Sequence, residues 1–487
     1  MKFIPYKKIV FLLIDIARPN HSFTMQKSLF LSFTFLLTSW MLFPQKKPLD
    51  HSVYDSWKSL TGTTISRDGK ITCVLVSPQE GDTTLLIKDN GMNRTLHVER
   101  VINYALSPDG RWTVGLIGAP YAIRRHARIE KKKANEKPED SLLIIDNLAF
   151  EMKKIPGAKS YKTAKEFDSH VAYTLIPSKD TTSKNNAKQR EILILRNMLT
   201  QQEDTFRNAK EYIFNKSESS FAVAIQPDKK DSVNQTCVVF INLKDHTKKI
   251  VSHEKTEYKS LAFDESGRQL VYLTTGDTSK MVQKVYVVGA DSAVILADRN
   301  ASGLPKGWVF NEYAAPSFSK DGKRILLGAA PAKAPKDSTL VDFEMAGLDI
   351  WHWREPLTPP QQLVELKKEE SRTYRGIVCP EHMNRYIPLA TVEMPYVSVG
   401  DEGNGQFALL WSDKPYQLES QWDISSRQDV WIKDLQTDSL YELGRPLPGR
   451  PALSPGGSFT FWWDAGEQQW FAFNNRSRLI QNLTKNI

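Results

Sequence analysis

Apolar runs of about five residues recur along this chain, each closed by an Asp or Asn near a turn. They read "LLIKDN" from residue 85, "LLIIDN" from 142, "ILILRN" from 192, "VVFINL" from 238, "VYVVGAD" from 285, "DIWHWRE" from 349, "DVWIKDL" from 429 and "WFAFNN" from 470. Between them a second phrase repeats: "ISRDGKITCV" at 65–74, "LSPDGRWTV" at 106–114, "SFSKDGKRILL" at 317–327 and "LSPGGSFTF" at 453–461. Weaker versions begin at Asn215, "NKSESSFAVAI", and at Asp264, "DESGRQLVYL". In such a phrase the Ser or Asp side chain bonds back to the main chain, Pro presets its own backbone angle and Gly supplies a positive one, so the phrase predicts a tight turn. The β-rich runs that follow, "RWTVGL" from Arg111 and "RILLG" from Arg324, make the unit strand, turn, strand.

Helical periodicity is confined to short runs such as Tyr54 to Leu60, and Gly, Pro, Asn and Asp punctuate the rest. The pattern predicts an all-β chain built from four-stranded antiparallel units of roughly 50 residues, with one irregular unit filling the longest gap, 349 to 430. Seven or eight such units describe a β-propeller, in which each blade covers a face of the next. A row of immunoglobulin-like sandwiches needs about 100 residues per domain, twice this spacing. Blade number, ring closure and completeness of the ring stay open at this point.

Composition changes this picture little. The chain has 487 residues, 25% charged and 40% hydrophobic, the proportions of a globular protein. The net charge of +9 is spread along the sequence with acids interleaved, which argues against nucleic acid as a partner. One dense basic run, "RRHARIEKKKANEKPED" from Arg124, interrupts a strand pattern and predicts a long solvated hairpin loop. Cys73, Cys237 and Cys379 lie far apart, outside any zinc or disulfide spacing, and are expected to be buried thiols.

The amino-terminal region changes more. From Met25, "MQKSLFLSFTFLLTSWMLFPQKK" has a basic start, an apolar stretch from Leu29 to Phe43 and polar residues after it, which predicts a secretory signal peptide. The domain expectation is therefore an upstream extension and signal over 1–45, with the start at Met25, and a propeller over 46–487. The chain is expected to be exported, periplasmic or extracellular, with no stable membrane span after cleavage; a retained anchor is the alternative.

Three stretches are more specific than a generic propeller: "KKPLDHSVYDSWKSL" from Lys46, "GLDIWHWRE" from Gly347, and "SDKPYQLESQWD" from Ser412 followed by "RQDVWIKDLQT". In order and spacing they resemble the amino-terminal propeller of secreted bacterial serine peptidases of the prolyl oligopeptidase family, from about Lys46 to the last residue. The resemblance implies a propeller that caps a carboxy-terminal α/β-hydrolase domain and admits short peptides to a buried serine. Such a peptidase needs a nucleophile elbow, G-x-S-x-G, and a later Asp and His. The chain contains no G-x-S-x-G. Its nearest approach, Gly456-Gly457-Ser458-Phe459-Thr460, lacks the second glycine. The expectation is thus a non-catalytic propeller portion that gates or binds peptides, with peptides or a separately encoded hydrolase domain as partner. The alternative is a stand-alone secreted binding or scaffold module.

No residue qualifies as catalytic, cofactor-binding or metal-ligating, and no cofactor is expected. His352 sits between Trp351 and Trp353, but in an alternating strand it faces away from both. The stretch "GDEGNGQF" from Gly400 to Phe407 lacks the order of a calcium loop and predicts a surface turn. The acidic pairs Glu369–Glu370 and Asp401–Glu402 would point to opposite faces of a strand, unable to flank one glycosidic bond. The aromatic residues near the end, among them Trp411, Trp431, Trp462, Trp463 and Trp470, are expected to fill the space between blades.

Overall fold

The computed structural model describes residues 50–133, 136–176, 191–227, 236–252, 256–275, 282–289, 292–333, 348–423 and 427–485. The expected upstream extension, the start at Met25 and the signal segment over 1–45 lie outside the described residues. Two compact units are distinguished. In the smaller one, a single helical turn at His51–Ser56 is tied back by Gln79 N donating to Trp57 O and Glu80 N to Asp55 O, and the Tyr54 and Trp57 rings pack together. The turn explains the short helical period around Tyr54, which ends where a strand begins at Lys58.

The larger unit is a row of eight antiparallel sheets, each made of strands consecutive in sequence. These blades cover 58–99, 101–156, 158–207, 209–252, 257–298, 308–388, 396–448 and 452–482. Seven have four strands. In the sixth the inner strand is broken into Trp308–Phe310 and Ser317–Phe318, which both pair with the second strand. The eight-bladed β-propeller is thus the observed fold, with the outer strand of the last blade at Ile480–Asn482.

Both recurring phrases have fixed places in this frame. The Ser-x-Asp-Gly phrase is the turn from the inner strand to the second strand of blades 1, 2 and 6. Its Ser hydroxyl accepts the amide five residues on and donates to the Asp, while the Asp accepts the amide two residues beyond itself, as Ser107, Asp109, Arg111 and Trp112 show. Ser66 and Ser319 repeat this wiring, and Asn215, Asp264 and Ser454 keep its five-residue bond in blades 4, 5 and 8. Gly110 has φ +81°, and a Cβ there would meet Ser66 Cβ of blade 1 at 2.9 Å, so its missing side chain serves both the turn and the contact between blades.

The apolar run is the third strand of seven blades, and its closing residue starts an Asx turn: Asp89, Asp146, Asn197, Asp434 and Asn474 each accept two amides two and three residues on. Where an Asn follows, it joins the two phrases. Asn147 Nδ2 donates to Gly110 O and Thr113 Oγ1, both at 2.9 Å. Asn90 makes the same pair of bonds to Gly69 O and Thr72, and Asn475 bonds Gly457 O and Thr460. Asn147 is buried, so truncating it to Ala leaves Gly110 O and Thr113 without their partner. A loss of about 1–3 kcal/mol is expected, read from the urea midpoint.

Asp68 gives a pH-dependent counterpart. The Ser66 hydroxyl, and then the Lys70 amide, hold its carboxyl down to about 2 from an ordinary 3.8. Because the folded value is depressed, this contribution is present above pH 3.8 and is lost as pH falls through about 2. Asp68→Asn is expected to flatten the fall of melting temperature between those values. An unchanged slope would show that the turn is indifferent to the charge.

Several expectations are corrected. "DIWHWRE" is not a third strand: residues 348–356 form turns and coil, and Tyr374–Cys379 is the third strand of blade 6. The long gap therefore holds the second half of blade 6 and the first half of blade 7 rather than one irregular unit. The basic run from Arg124 does lie in the hairpin between the second and third strands of blade 2, but it begins in a helix, α1 (Tyr121–Ile129). Glu369 and Glu370 lie in a second helix, α2 (Pro359–Glu370), and not in a strand. Cys73 and Cys237 are buried, whereas Cys379 is only half-buried. No helix among the described residues is long and apolar enough to cross a membrane.

Candidate functional site: the axial channel and its two ends

In a β-propeller the inner strands surround a central channel, and here those of blades 3 to 6 touch one another. Lys162 of blade 3 donates to Tyr212 O of blade 4 at 3.0 Å and lies over the Tyr212 ring. Glu211 of blade 4 accepts the Ser260 and Leu261 amides of blade 5 at 2.8 and 3.0 Å, and Lys259 pairs with Glu312 of blade 6. Burial pushes the Glu211 carboxyl above its ordinary range despite the two amide donors.

At one end of the channel lie the inner turns, all five to seven residues long. One residue from each turn, taken in blade order, gives Arg67, Pro108, Glu166, Lys216, Glu265, Lys320, Glu402 and Pro455. Apart from the two prolines, the signs alternate. Arg67 reaches across Pro108 to Glu166 at 3.1 Å, Lys216 pairs with Glu265, and Lys320 with Glu402 at 2.7 Å. Main-chain bonds run between the same turns: Arg67 N to Pro108 O, Glu166 N to Lys216 O, Lys320 N to Glu402 O and Asp401 N to Pro455 O. The imagined calcium loop at Gly400–Phe407 is the blade 7 member of this ring. Its Glu402 is held by Lys320, and Asn404 accepts the Asp321 amide.

Between the inner strands of blades 2, 3 and 4 the wall opens into a cleft. Leu116 and Ile213 contribute apolar surface, Ser160 and Thr163 contribute hydroxyls, and four lysines line it: Lys159, Lys162, Lys165 and Lys216. No carboxylate is among its lining residues.

A buried polar cluster sits behind the wall. Glu218, in the blade 4 turn, reaches blade 3 and accepts the amides of Asp168, Ser169 and His170, the Ser169 hydroxyl, and His170 Nδ1 at 2.7 Å. Ser, His and Glu here do not form a nucleophilic triad. Ser169 Oγ stands 3.1 Å from Nδ1, the same ring atom that faces the acid, while Nε2 faces the Asn197 amide nitrogen at 3.2 Å. A triad base needs the serine on one ring nitrogen and the acid on the other. This cluster joins blades, and nothing in the one-dimensional pattern announces it, because Glu218 stands 48 residues from His170.

The opposite end of the channel carries the connections from second to third strands, several of them long. The helix α1 is pinned there by Arg124, which donates to Ala119 O and to Asp82 of blade 1. The α2 helix starts at Thr358, whose amide is capped by Gln361 Oε1. Blade 7 sends out 413–423, anchored by Tyr416 Oη on Asp429 at 2.6 Å; burial, then that bond, pushes the phenol up to about 12. Gln421 Nε2 donates to Pro356 O, joining the blade 7 and blade 6 insertions. Together they expose Trp351, Trp353 and Trp422, at 64%, 74% and 70% of their surface. His352 stacks on Trp353 with Arg354 on the same ring, so the alternation expected for a strand does not apply to it.

The late aromatic residues divide. Trp462 and Phe473 are buried between blades 7 and 8 as expected, with Trp411 against them, and Trp431 is buried on the other face of blade 7, whereas Trp463 and Trp470 are partly exposed. Gly457 and Ser458 lie in the inner turn of blade 8, far from any elbow geometry.

No protein-family model matches the chain, and no curated protein matches it. Among solved structures it is similar to a eukaryotic initiation factor, with 10% identity, 88% of each chain covered and a TM-score of 0.41. A prolyl endopeptidase matches at 9% identity and a TM-score of 0.38, over 94% of this chain and 60% of that one. The β-propeller domain of the Trilobed protease from Pyrococcus furiosus matches at 9% identity and a TM-score of 0.31, over 80% of this chain and 98% of that one.

Proposed function

We propose that this chain is the propeller portion of an exported serine peptidase of the prolyl oligopeptidase family, binding or gating peptides for a hydrolase domain. One observation carries the reading. The phrases "DIWHWRE" and "SDKPYQLESQWD", which bear the resemblance, are not neighbours in sequence, yet they become touching insertions of blades 6 and 7 at one end of the channel. Exposed Trp351, Trp353 and Trp422 there offer flat apolar surface with polar edges, suited to peptide or to a covering domain. The chain also enters the first inner strand and leaves the last outer strand at that end, because every blade has an even number of strand passes. A hydrolase domain joined to either point would stand over the exposed tryptophans.

The test uses residues 46–487 and a fluorescein-labelled eight-residue peptide followed by anisotropy. Saturable binding is expected, weakened about tenfold in a Trp351→Ala, Trp353→Ala, Trp422→Ala variant. A fluorogenic peptide amide should release no fluorophore. Peptide cleavage blocked by a fluorophosphonate would overturn the non-catalytic reading, and absence of binding up to about 1 mM peptide would overturn the peptide role.

A further inference from the structure

We infer that the lysine-lined cleft between the inner strands of blades 2, 3 and 4 is a carboxylate-binding site, which takes the free carboxyl terminus or an acidic side chain of a peptide lying in the channel. The inference deepens the proposed function and rests on its peptide reading for the identity of the ligand.

Three observations converge on this cleft. First, its charge has one sign: Lys159, Lys162, Lys165 and Lys216 line it, and no Asp or Glu does. On the wall of blades 4 to 6, by contrast, Glu211, Lys259 and Glu312 alternate in sign, and no such carboxylate lies within the cleft lining. Second, the four cations are not equally neutralised. Lys159 is paired with Glu191 and Lys216 with Glu265, both from outside the lining, whereas neither Lys162 nor Lys165 has an ion pair among the described residues. Glu211, which faces Lys162 from blade 4, has its carboxylate engaged by the Ser260 and Leu261 amides. Third, Lys162 is held in place before any ligand arrives. One of its three donors is fixed on Tyr212 O and its ammonium lies 4.6 Å from the ring centroid, which leaves two donors for a ligand. Thr163 adds a hydroxyl donor on the same wall, while Ser160 Oγ is engaged with Thr174 Oγ1 at 2.8 Å.

A carboxylate matches these donors in size and charge, and the neighbouring apolar surface from Leu116 and Ile213 accommodates the chain that carries it. The cleft is open to the channel, so the attraction should be screened by salt.

The experiment measures binding by the full chain of three labelled peptides of one neutral sequence: with a free carboxyl terminus, with a terminal amide, and with a terminal amide and one internal Glu. Either carboxylate is expected to tighten binding about tenfold over the plain amide at low salt. Lys165→Gln and Lys162→Gln should each abolish that difference while leaving the amide peptide's affinity unchanged. Lys165, exposed and without a partner among the described residues, gives the variant least able to disturb the fold. Tightening by the terminal carboxyl alone, or by Glu alone, assigns which source the cleft takes. Equal binding of all three peptides overturns the inference and leaves the peptide reading standing. If no peptide binds, titration with glutarate decides: binding lost in Lys165→Gln keeps the cleft and overturns the peptide reading, and no binding overturns both.

Discussion

Replacing Phe221 by alanine is expected to lower the unfolding free energy by about 3–5 kcal/mol. Phe221 is fully buried in the second strand of blade 4, and its ring contacts those of Phe206 in blade 3 and Tyr212 and Phe214 in its own inner strand. The surrounding cluster spans blades 2 to 4, so the cavity would open in a seam where three sheets converge and none can move in alone. Phe221→Leu keeps most of the volume and should recover more than half of the loss. Both values come from denaturant midpoints under conditions of cooperative unfolding. A loss for Phe221→Ala below about 1 kcal/mol would mean that the blades collapse around the gap and the seam is plastic.

Glu218→Ala is expected to cost a similar amount, about 3–5 kcal/mol, for a different reason. Its carboxylate is the shared acceptor for three amides, one hydroxyl and one imidazole nitrogen of blade 3, and both Glu218 and His170 are buried. Truncation removes little apolar contact but leaves several donors without their acceptor, among them those of buried His170. Glu218→Gln supplies one acceptor oxygen and adds an amide where donors already crowd, so it should recover only a small part. Rescue by Gln to the wild-type midpoint would show that shape matters here and the wiring does not. Because Glu218 extends from one blade into the next, Glu218→Ala should also release the seam between blades 3 and 4, seen as faster proteolysis within 163–169.

The repeated parts of this fold are legible because they are local. A Ser hydroxyl reaches an amide five residues on, and an Asx side chain reaches two or three residues on, so the turns of blades 1, 2 and 6 and most third strands can be read directly. Blades 3 and 7 escape that reading. Their inner turns, 163–169 and 400–406, use Glu218 from another blade and a glycine-rich detour in place of the phrase. The "DIWHWRE" run reads as a strand because apolar and aromatic residues in an exposed insertion have the composition of a buried strand, and only burial separates them. The charged ring and the lysine cleft were out of reach for another reason. Arg67 and Glu166 are 99 residues apart, and nothing short of the packing of successive blades makes them partners.

The Asn that ties turn to third strand also bears on how such an array comes apart. It occurs in blades 1, 2 and 8, the first two and the last of the series. Local opening of a blade separates its inner turn from its third strand. A side chain that clamps each of these blades within itself works against that loosening without borrowing anything from an adjacent unit. Amide exchange near Gly69, Gly110 and Gly457 should accordingly be slower than at the corresponding turns of blades 3 to 7, with the earliest opening in blades that lack the tie.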